Sequence, residues 1–288
     1  MTTSASLTVT VVGGPTALLE WAGLRLLLDP TFDPPTVYGP GDNDLTKTAG
    51  PAVDATALGG IDAALVSHHH HEDNLDESGR NIALALPLVV TTPEGAVDLG
   101  TRGGTARVVG LPDHSALALD DPAAVGTAIA SRAASGAVLV AVPAQHGPAE
   151  FAERLGPVCG FLLTAPGHPT VYVSGDNSEL TVVASIADRY GPVDAAVLFA
   201  GAARIPAIDA PLTLTAAGAR AAAQLLGARR VVGLHVDQWT HFAEGRDALE
   251  REFDGLESPA GGPLLLDTPT GSRTVVPLYA HPSVGRAD

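Results

Sequence analysis

Lysine is almost missing from this chain: Lys47 stands alone among 288 residues, and the cations are otherwise arginines. We read that bias as a coding preference, not as chemistry. Basic clusters are missing too. The nearest is the pair Arg229-Arg230, against a net charge of −16. Affinity for nucleic acid comes largely from Lys and Arg on phosphates, so a nucleic-acid substrate is disfavoured. Cysteine is reduced to Cys159, which forms no intrachain disulfide and suits a reducing compartment. Its apolar setting, Val158 to Leu162, points to a buried, inert thiol. No apolar run approaches the ~18 residues of a membrane span. The first residues lack a basic stretch followed by an apolar one, so we expect no signal peptide and a cytoplasmic location.

What is present is globular. Hydrophobic residues make up 45% and charged residues 17%, a balance that builds a large core. Residues 7–13, 16–22 and 24–28 read as strands joined by tight turns. Residues 30–60 are rich in Pro, Gly, Asp and Thr and show no period. A stretch of that kind is usually functional, so we expect a pocket wall or lid there. Strands are expected at 61–66, 87–92, 106–111, 137–142 and 194–199. A hairpin is expected from 158–164 and 170–174, and a strand at 230–234. Helices are expected at 76–86, from an N-cap at Ser178 through Tyr190, from Thr215 to Leu226 and near 243–253. A last hairpin, 263–267 with 274–279, would close the chain. No linker divides the sequence, so residues 1–288 are expected to form a single domain. The alternation of strands and helices predicts two sheets face to face with helices outside.

Several of these strands end in a turn bearing His or Asp: Asp29, the run from His68 to Asp73, His146, Asp176 and His235. Turns after strand ends are where α/β proteins place ligands and catalysts. Imidazole and carboxylate together suit Zn²⁺ and similar ions. The run Ser67-His68-His69-His70-His71-Glu72-Asp73-Asn74 carries most of the signal. In an extended segment alternate side chains share a side, so His69, His71 and Asp73 are expected to point together, with His68 and His70 opposite. The bland reading is a solvated, idle histidine run.

These residues resemble the metallo-β-lactamase superfamily, whose second motif is His-x-His-x-Asp-His after a buried strand. Two registers fit. His69-x-His71-x-Asp73-Asn74 keeps both histidines and the aspartate; His68-x-His70-x-Glu72-Asp73 keeps only the histidines. We take the first, because Leu75-Asp76 then follows at the usual distance. The other motifs appear in order: Asp29 as the structural aspartate, His146, Asp176 and His235. The resemblance covers about residues 7 to 280. Ser67-His68, Asn74-Leu75-Asp76 and Gly175-Asp176 point to the branch of the L-ascorbate-6-phosphate lactonases and N-acyl-phosphatidylethanolamine-hydrolysing phospholipases.

The resemblance implies an α/β fold, a four-layer αββα sandwich. It implies His69, His71 and His146 on one metal, Asp73 and His235 on a second, and Asp176 between them. Asn74 departs from the pattern, since an amide oxygen is a poor zinc ligand. Either one metal suffices, or His68, His70 or His241 substitutes, or the second ion resembles Mn²⁺. The implied activity is that of a metal-dependent hydrolase, using a metal-activated hydroxide on an ester, lactone, amide or phosphodiester of a small molecule, with Asp73 as a catalytic residue and Zn²⁺ as cofactor. His241, six residues after His235, is read from its position as a catalytic pocket residue that orients substrate or donates a proton, or else as a helix-start histidine bonded to backbone. Two rivals stay open. One is a mononuclear iron (Fe²⁺) oxidoreductase on the same fold. The other is a degenerate member that binds metal or ligand without turnover. The expected partner is a small-molecule substrate, with no nucleic acid and no membrane span; a homo-oligomer is compatible with the sequence.

Overall fold

The computed structural model describes residues 6–39 and 45–277. Its strands are β1 (Leu7–Gly13), β2 (Thr16–Trp21), β3 (Leu24–Leu28), β4 (Thr36–Tyr38), β5 (Leu45–Lys47), β6 (Ala63–Leu65), β7 (Leu88–Thr91) and β8 (Arg107–Gly110), then β9 (Ala116–Ala118), β10 (Val138–Pro143), β11 (Cys159–Thr164), β12 (Val171–Val173), β13 (Ala195–Phe199), β14 (Arg230–Leu234) and β15 (Arg273–Val276). The helices are α1 (Glu77–Ala85), α2 (Pro93–Thr101), α3 (Pro122–Val125), α4 (Thr127–Ala130), α5 (Ala152–Leu155), α6 (Leu180–Tyr190), α7 (Ala216–Leu225) and α8 (Arg246–Phe253).

Two sheets dominate. The first has seven strands in the order β15-β1-β2-β3-β6-β7-β8, and the second six in the order β14-β13-β12-β11-β10-β9. Each combines an antiparallel meander with a parallel stretch: β3, β6, β7 and β8 in one, β12, β13 and β14 in the other. Strand periodicity explains the layering. In β13, Ala195, Val197 and Phe199 face the other sheet, in one core with Val9, Leu26, Leu139 and Phe161. Ala196 and Leu198 face outward and are covered by Val183 and Ile186 of α6, Ala219 and Ala222 of α7, and Leu249 of α8. On the first sheet, Ala64 and Val89 meet Leu84 of α1 and Leu99 of α2. The layers are therefore helix, sheet, sheet, helix, as the sequence pattern predicts.

Three expectations need correction. The segment 263–267 does not pair with the final strand. Leu265 forms a parallel bridge to Val231, whereas β15 pairs antiparallel with β1, so the two segments close different sheets. Residues 278 and 279 lie outside the described part. Ser178 is not the N-cap of α6; that position belongs to Glu179. The Ser178 hydroxyl instead accepts from Gly147 N and donates to Gln145 O, bracing the turn that carries His146. Finally, residues 30–60 are not without structure. They contain the β4–β5 hairpin and a short 3-10 turn at Ala55–Leu58. Among the described residues, no helix is long and apolar enough to cross a membrane.

Candidate metal centre

The side chains in question sit just past the C-terminal ends of five strands: Asp29 after β3, Ser67 to Asp73 after β6, His146 after β10, Asp176 after β12 and His235 after β14. The two sheets thus deliver them to a common edge. Asp29 and His235 adopt left-handed backbone, with φ of 30° and 60°, which costs a non-glycine residue about 1 kcal/mol. Backbone bonds across the fold hold them there: Asp29 N donates to Leu65 O, and His235 N to Gly14 O. Gly201 is required beside the second, since a Cβ there would lie 2.0 Å from His235 O.

Two groups of candidate ligands form. His68, His71 and His146 make one; Asp73, Asp176 and His235 make the other; within each, the donor atoms lie within 4.8 Å of one another. Asp176 spans both. Its Oδ2 is 3.8 Å from His146 Nδ1, and its Oδ1 is 3.8 Å from His235 Nδ1.

The histidine run differs from its expected geometry. Residues 67–75 are a tight bend, not an extended strand: Leu75 N donates to His71 O at 2.9 Å and Asn74 N to the same carbonyl at 3.2 Å. In such a bend residues three apart share a side. His68 therefore joins His71, with His68 Nε2 3.0 Å from His71 Nδ1. His69, expected in the ligand set, lies outside it; the residue is buried, and Glu94 and Asp98 of α2 are the carboxylates that act on its ring. His70 donates from Nε2 to Leu155 O at 2.6 Å and so pins α5 instead of facing the group.

A line of donors fixes the His68 tautomer. Ser67 Oγ donates to Asp29 Oδ2 at 2.7 Å and accepts from His68 Nδ1 at 2.9 Å. That leaves His68 Nε2 unprotonated and facing His71 Nδ1, as in histidines that hold a metal through one ring nitrogen and a hydrogen-bonded partner through the other. His146 is set the same way, donating from Nδ1 to Leu212 O at 2.7 Å. Burial, reinforced by the neighbouring imidazoles, holds His68 well below its usual pKa and lowers His71 to about 3. Both are neutral at pH 7, the form that binds metal.

The second group is anionic. Burial opposes ionisation of Asp73, but the facing imidazoles of His235, 3.4 Å away, and His241, hydrogen-bonded at 3.0 Å, overcome it and keep the carboxylate charged. Burial also opposes charge on His235, yet Asp176 and Asp73 raise its pKa. Burial lifts Asp29 to about 7, against its bonds to Ser67 and Asn74. Asn74 is fully buried, and its amide donates to Asp29 Oδ2 at 3.2 Å and Asp176 Oδ1 at 3.1 Å. It braces two carboxylates from the side where the family pattern has a histidine.

Divalent cations fit both groups. Buried polar atoms are nearly always hydrogen-bonded, yet Asp176 Oδ2 and both ring nitrogens of His235 are buried with no hydrogen-bond partner. The first group offers three neutral imidazoles, and the 3.0 Å nitrogen separation is near the ~3.3 Å expected between two donors on one tetrahedral zinc.

His241 lies beside the second group, with Nε2 3.0 Å from Asp73 Oδ2. It also lines a cavity of about 70 Å³ with His71, Asp73 and His146. Trp239 is core, stacked on Tyr38 with ring centres 5.7 Å apart. Lys47, read from sequence as compositional bias, is wholly buried. It donates to Asp76 Oδ2 at 2.8 Å and lies 5.6 Å from the Trp239 ring centre. Asp76 also accepts from Phe32 N, Asp33 N and Gly79 N, so one carboxylate caps α1 and ties the hairpin to the histidine bend. Sequence reasoning missed this pair because a buried lysine shows no pattern. It had a cue for His68, the Ser67-His68 dipeptide, but strand alternation outweighed it.

Comparison with known proteins agrees with this fold. Residues 24–236 match the family described as beta-lactamase superfamily domain. A metal-dependent hydrolase of Thermococcus kodakarensis is 26% identical over 159 residues, 54% of this chain and 66% of that protein. The chain spans about half to two thirds of the curated relatives it matches first. A possible metal-dependent hydrolase from Veillonella parvula superimposes with a TM-score of 0.77 at 17% identity, covering 95% of this chain and all of that one. An isothiocyanate hydrolase from Delia radicum gut bacteria gives 0.74 at 20% identity, covering 94% and 100%. With the family matched over most of its length and both sheets delivering the ligand groups to one edge, this chain belongs to the beta-lactamase superfamily and has its metallo-β-lactamase fold.

Proposed function

We propose that the chain is a metal-dependent hydrolase in which His68, His71 and His146 hold one cation, Asp73 and His235 a second, and Asp176 both. Zinc suits the first set, and zinc or a Mn²⁺-like ion the more carboxylate-rich second. The observation that carries the reading is the convergence of neutral, pre-oriented imidazoles with buried, unpartnered Asp176 and His235 atoms. A bound divalent cation supplies a water acidified to a pKa of about 7 and polarises the scissile bond.

The chain's own groups do the rest. Asp73 holds the Nε2 proton of His241, which leaves His241 Nδ1 unprotonated, buried and without a partner. From the cavity wall, His241 carries the proton of the reacting group, as base first and then as acid toward the leaving group. Leu212 O and Ser67 keep the rings of His146 and His68 from rotating. The reaction is hydrolysis of an ester, lactone, amide or phosphodiester in a small molecule.

The test is turnover of 4-nitrophenyl esters and lactones by purified chain before chelation, after it, and after zinc is restored. Activity should vanish on chelation, return with zinc and be absent in Asp176→Ala. Activity indifferent to chelator and to Asp176→Ala would contradict the reading.

A further inference from the structure

We infer that the substrate places a compact, uncharged aliphatic group, on the order of two or three carbon-sized units, in the pocket above the metal centre. This rests on the hydrolase reading and narrows its substrate to a neutral ester, lactone or amide, to the exclusion of phosphodiesters and phosphorylated metabolites.

Three observations carry it. The first is the wall. Opposite His71, His146 and His241 the cavity is closed by Leu45, Leu155, Ala203, Ile205 and Leu212, all aliphatic. An apolar wall rewards an apolar group and leaves a charged one without partners. The second is size. The cavity holds about 70 Å³, room for about two or three carbon-sized units at roughly 30 Å³ each, the share of one water in the liquid.

The third is charge. Among the described residues, no Lys or Arg lines this cavity. Lys47 is spent on Asp76, and Arg80 on Glu77 and Leu75 O. Arg204 is exposed and, unlike its neighbours Ala203 and Ile205, does not line the pocket. The wider groove on the other flank of His146, about 630 Å³, carries Glu94, Asp113 and Glu153 and likewise no basic side chain among the described residues. A phosphate approaching from either side meets carboxylates or hydrocarbon before it meets a cation, and like charge repels it.

Ile205 is the residue to vary, because it is half-buried and packs with Leu155 and Leu212 in the aliphatic wall. Zinc-loaded chain is assayed on 4-nitrophenyl acetate, butyrate and octanoate. Butyramide and dimethyl phosphate are compared as competitors, and butyramide binding is also followed by saturation-transfer NMR without metal. The wild type should favour butyrate. Ile205→Ala should move the optimum to a longer chain, and Ile205→Phe to acetate, with butyramide binding weakened about ten-fold, or ~1.4 kcal/mol. Butyramide should compete better than dimethyl phosphate. A chain-length profile unmoved by both variants, or dimethyl phosphate as the stronger competitor, overturns the inference. If no ester is cleaved but butyramide binds and Ile205→Phe weakens it, the hydrolase reading falls and the pocket assignment stands. If butyramide does not bind either, the pocket assignment falls as well.

Discussion

Asn74 shows how one side chain sets the balance of this site. Its amide donates to Asp29 and Asp176 at once, so it neutralises part of a buried carboxylate pair with no formal charge. Asn74→Asp would place a third carboxylate against the other two and remove both donors. We expect it to lose the cation at the Asp73, Asp176 and His235 group and to destabilise the metal-free fold by about 1–3 kcal/mol, the cost of leaving buried polar atoms unpaired. Urea unfolding of chelated protein checks the second part, and metal analysis the first. An unchanged unfolding midpoint would contradict it. Cys159 makes the opposite case. Burial pushes its thiol well above the usual range, and it sits between the sheets. The native chain should resist maleimide over hours and react at once in urea, as mass spectrometry would read. Rapid labelling of the native chain would refute the burial.

At the scale of elements, one buried ion pair ties the β4–β5 hairpin to the histidine bend, beside its backbone bonds to residues 238–240. Lys47 and Asp76 have no exposure to solvent, and removing one partner of such a pair typically costs about 3–5 kcal/mol because the other charge is stranded. Lys47→Met should lose about that much stability in urea, and Lys47→Met with Asp76→Asn should lose less than the sum of the single changes. Additive losses would mean the pair is not coupled. Legibility in the sequence divides at this level. The strands were readable because alternation and turn residues are local. Thr215 was readable as a cap because its hydroxyl bonds Gly218 N three residues on. Ser178 was not, because what it braces, the His146 turn, lies about thirty residues away in the chain. The pairing of β15 with β1 joins the two ends of the described chain, and nothing in residues 263–277 alone distinguishes it from a local hairpin. The histidine run misled for a related reason. Alternation holds in a strand, but β6 ends at Leu65 and the run bends, so its side chains follow a spacing of three.

For the whole molecule, the account joins two half-sites supplied by different sheets. The first sheet brings Asp29 and the histidine bend; the second brings His146, Asp176 and His235. A cation held between them binds the folded chain and not the unfolded one, so it stabilises the fold as a whole. At a free zinc concentration about 100-fold above its Kd, the gain is about 2.7 kcal/mol, visible as a Tm that rises with zinc and falls with chelator. A Tm insensitive to both would count against a shared ion. The most direct test of the centre is metal content by plasma mass spectrometry on zinc-loaded wild type, His68→Ala and His69→Ala, each passed through a desalting column. The account predicts about two zinc ions per wild-type chain, loss of one in His68→Ala and no loss in His69→Ala. Metal-free wild type, or loss in His69→Ala with His68→Ala unaffected, would contradict it.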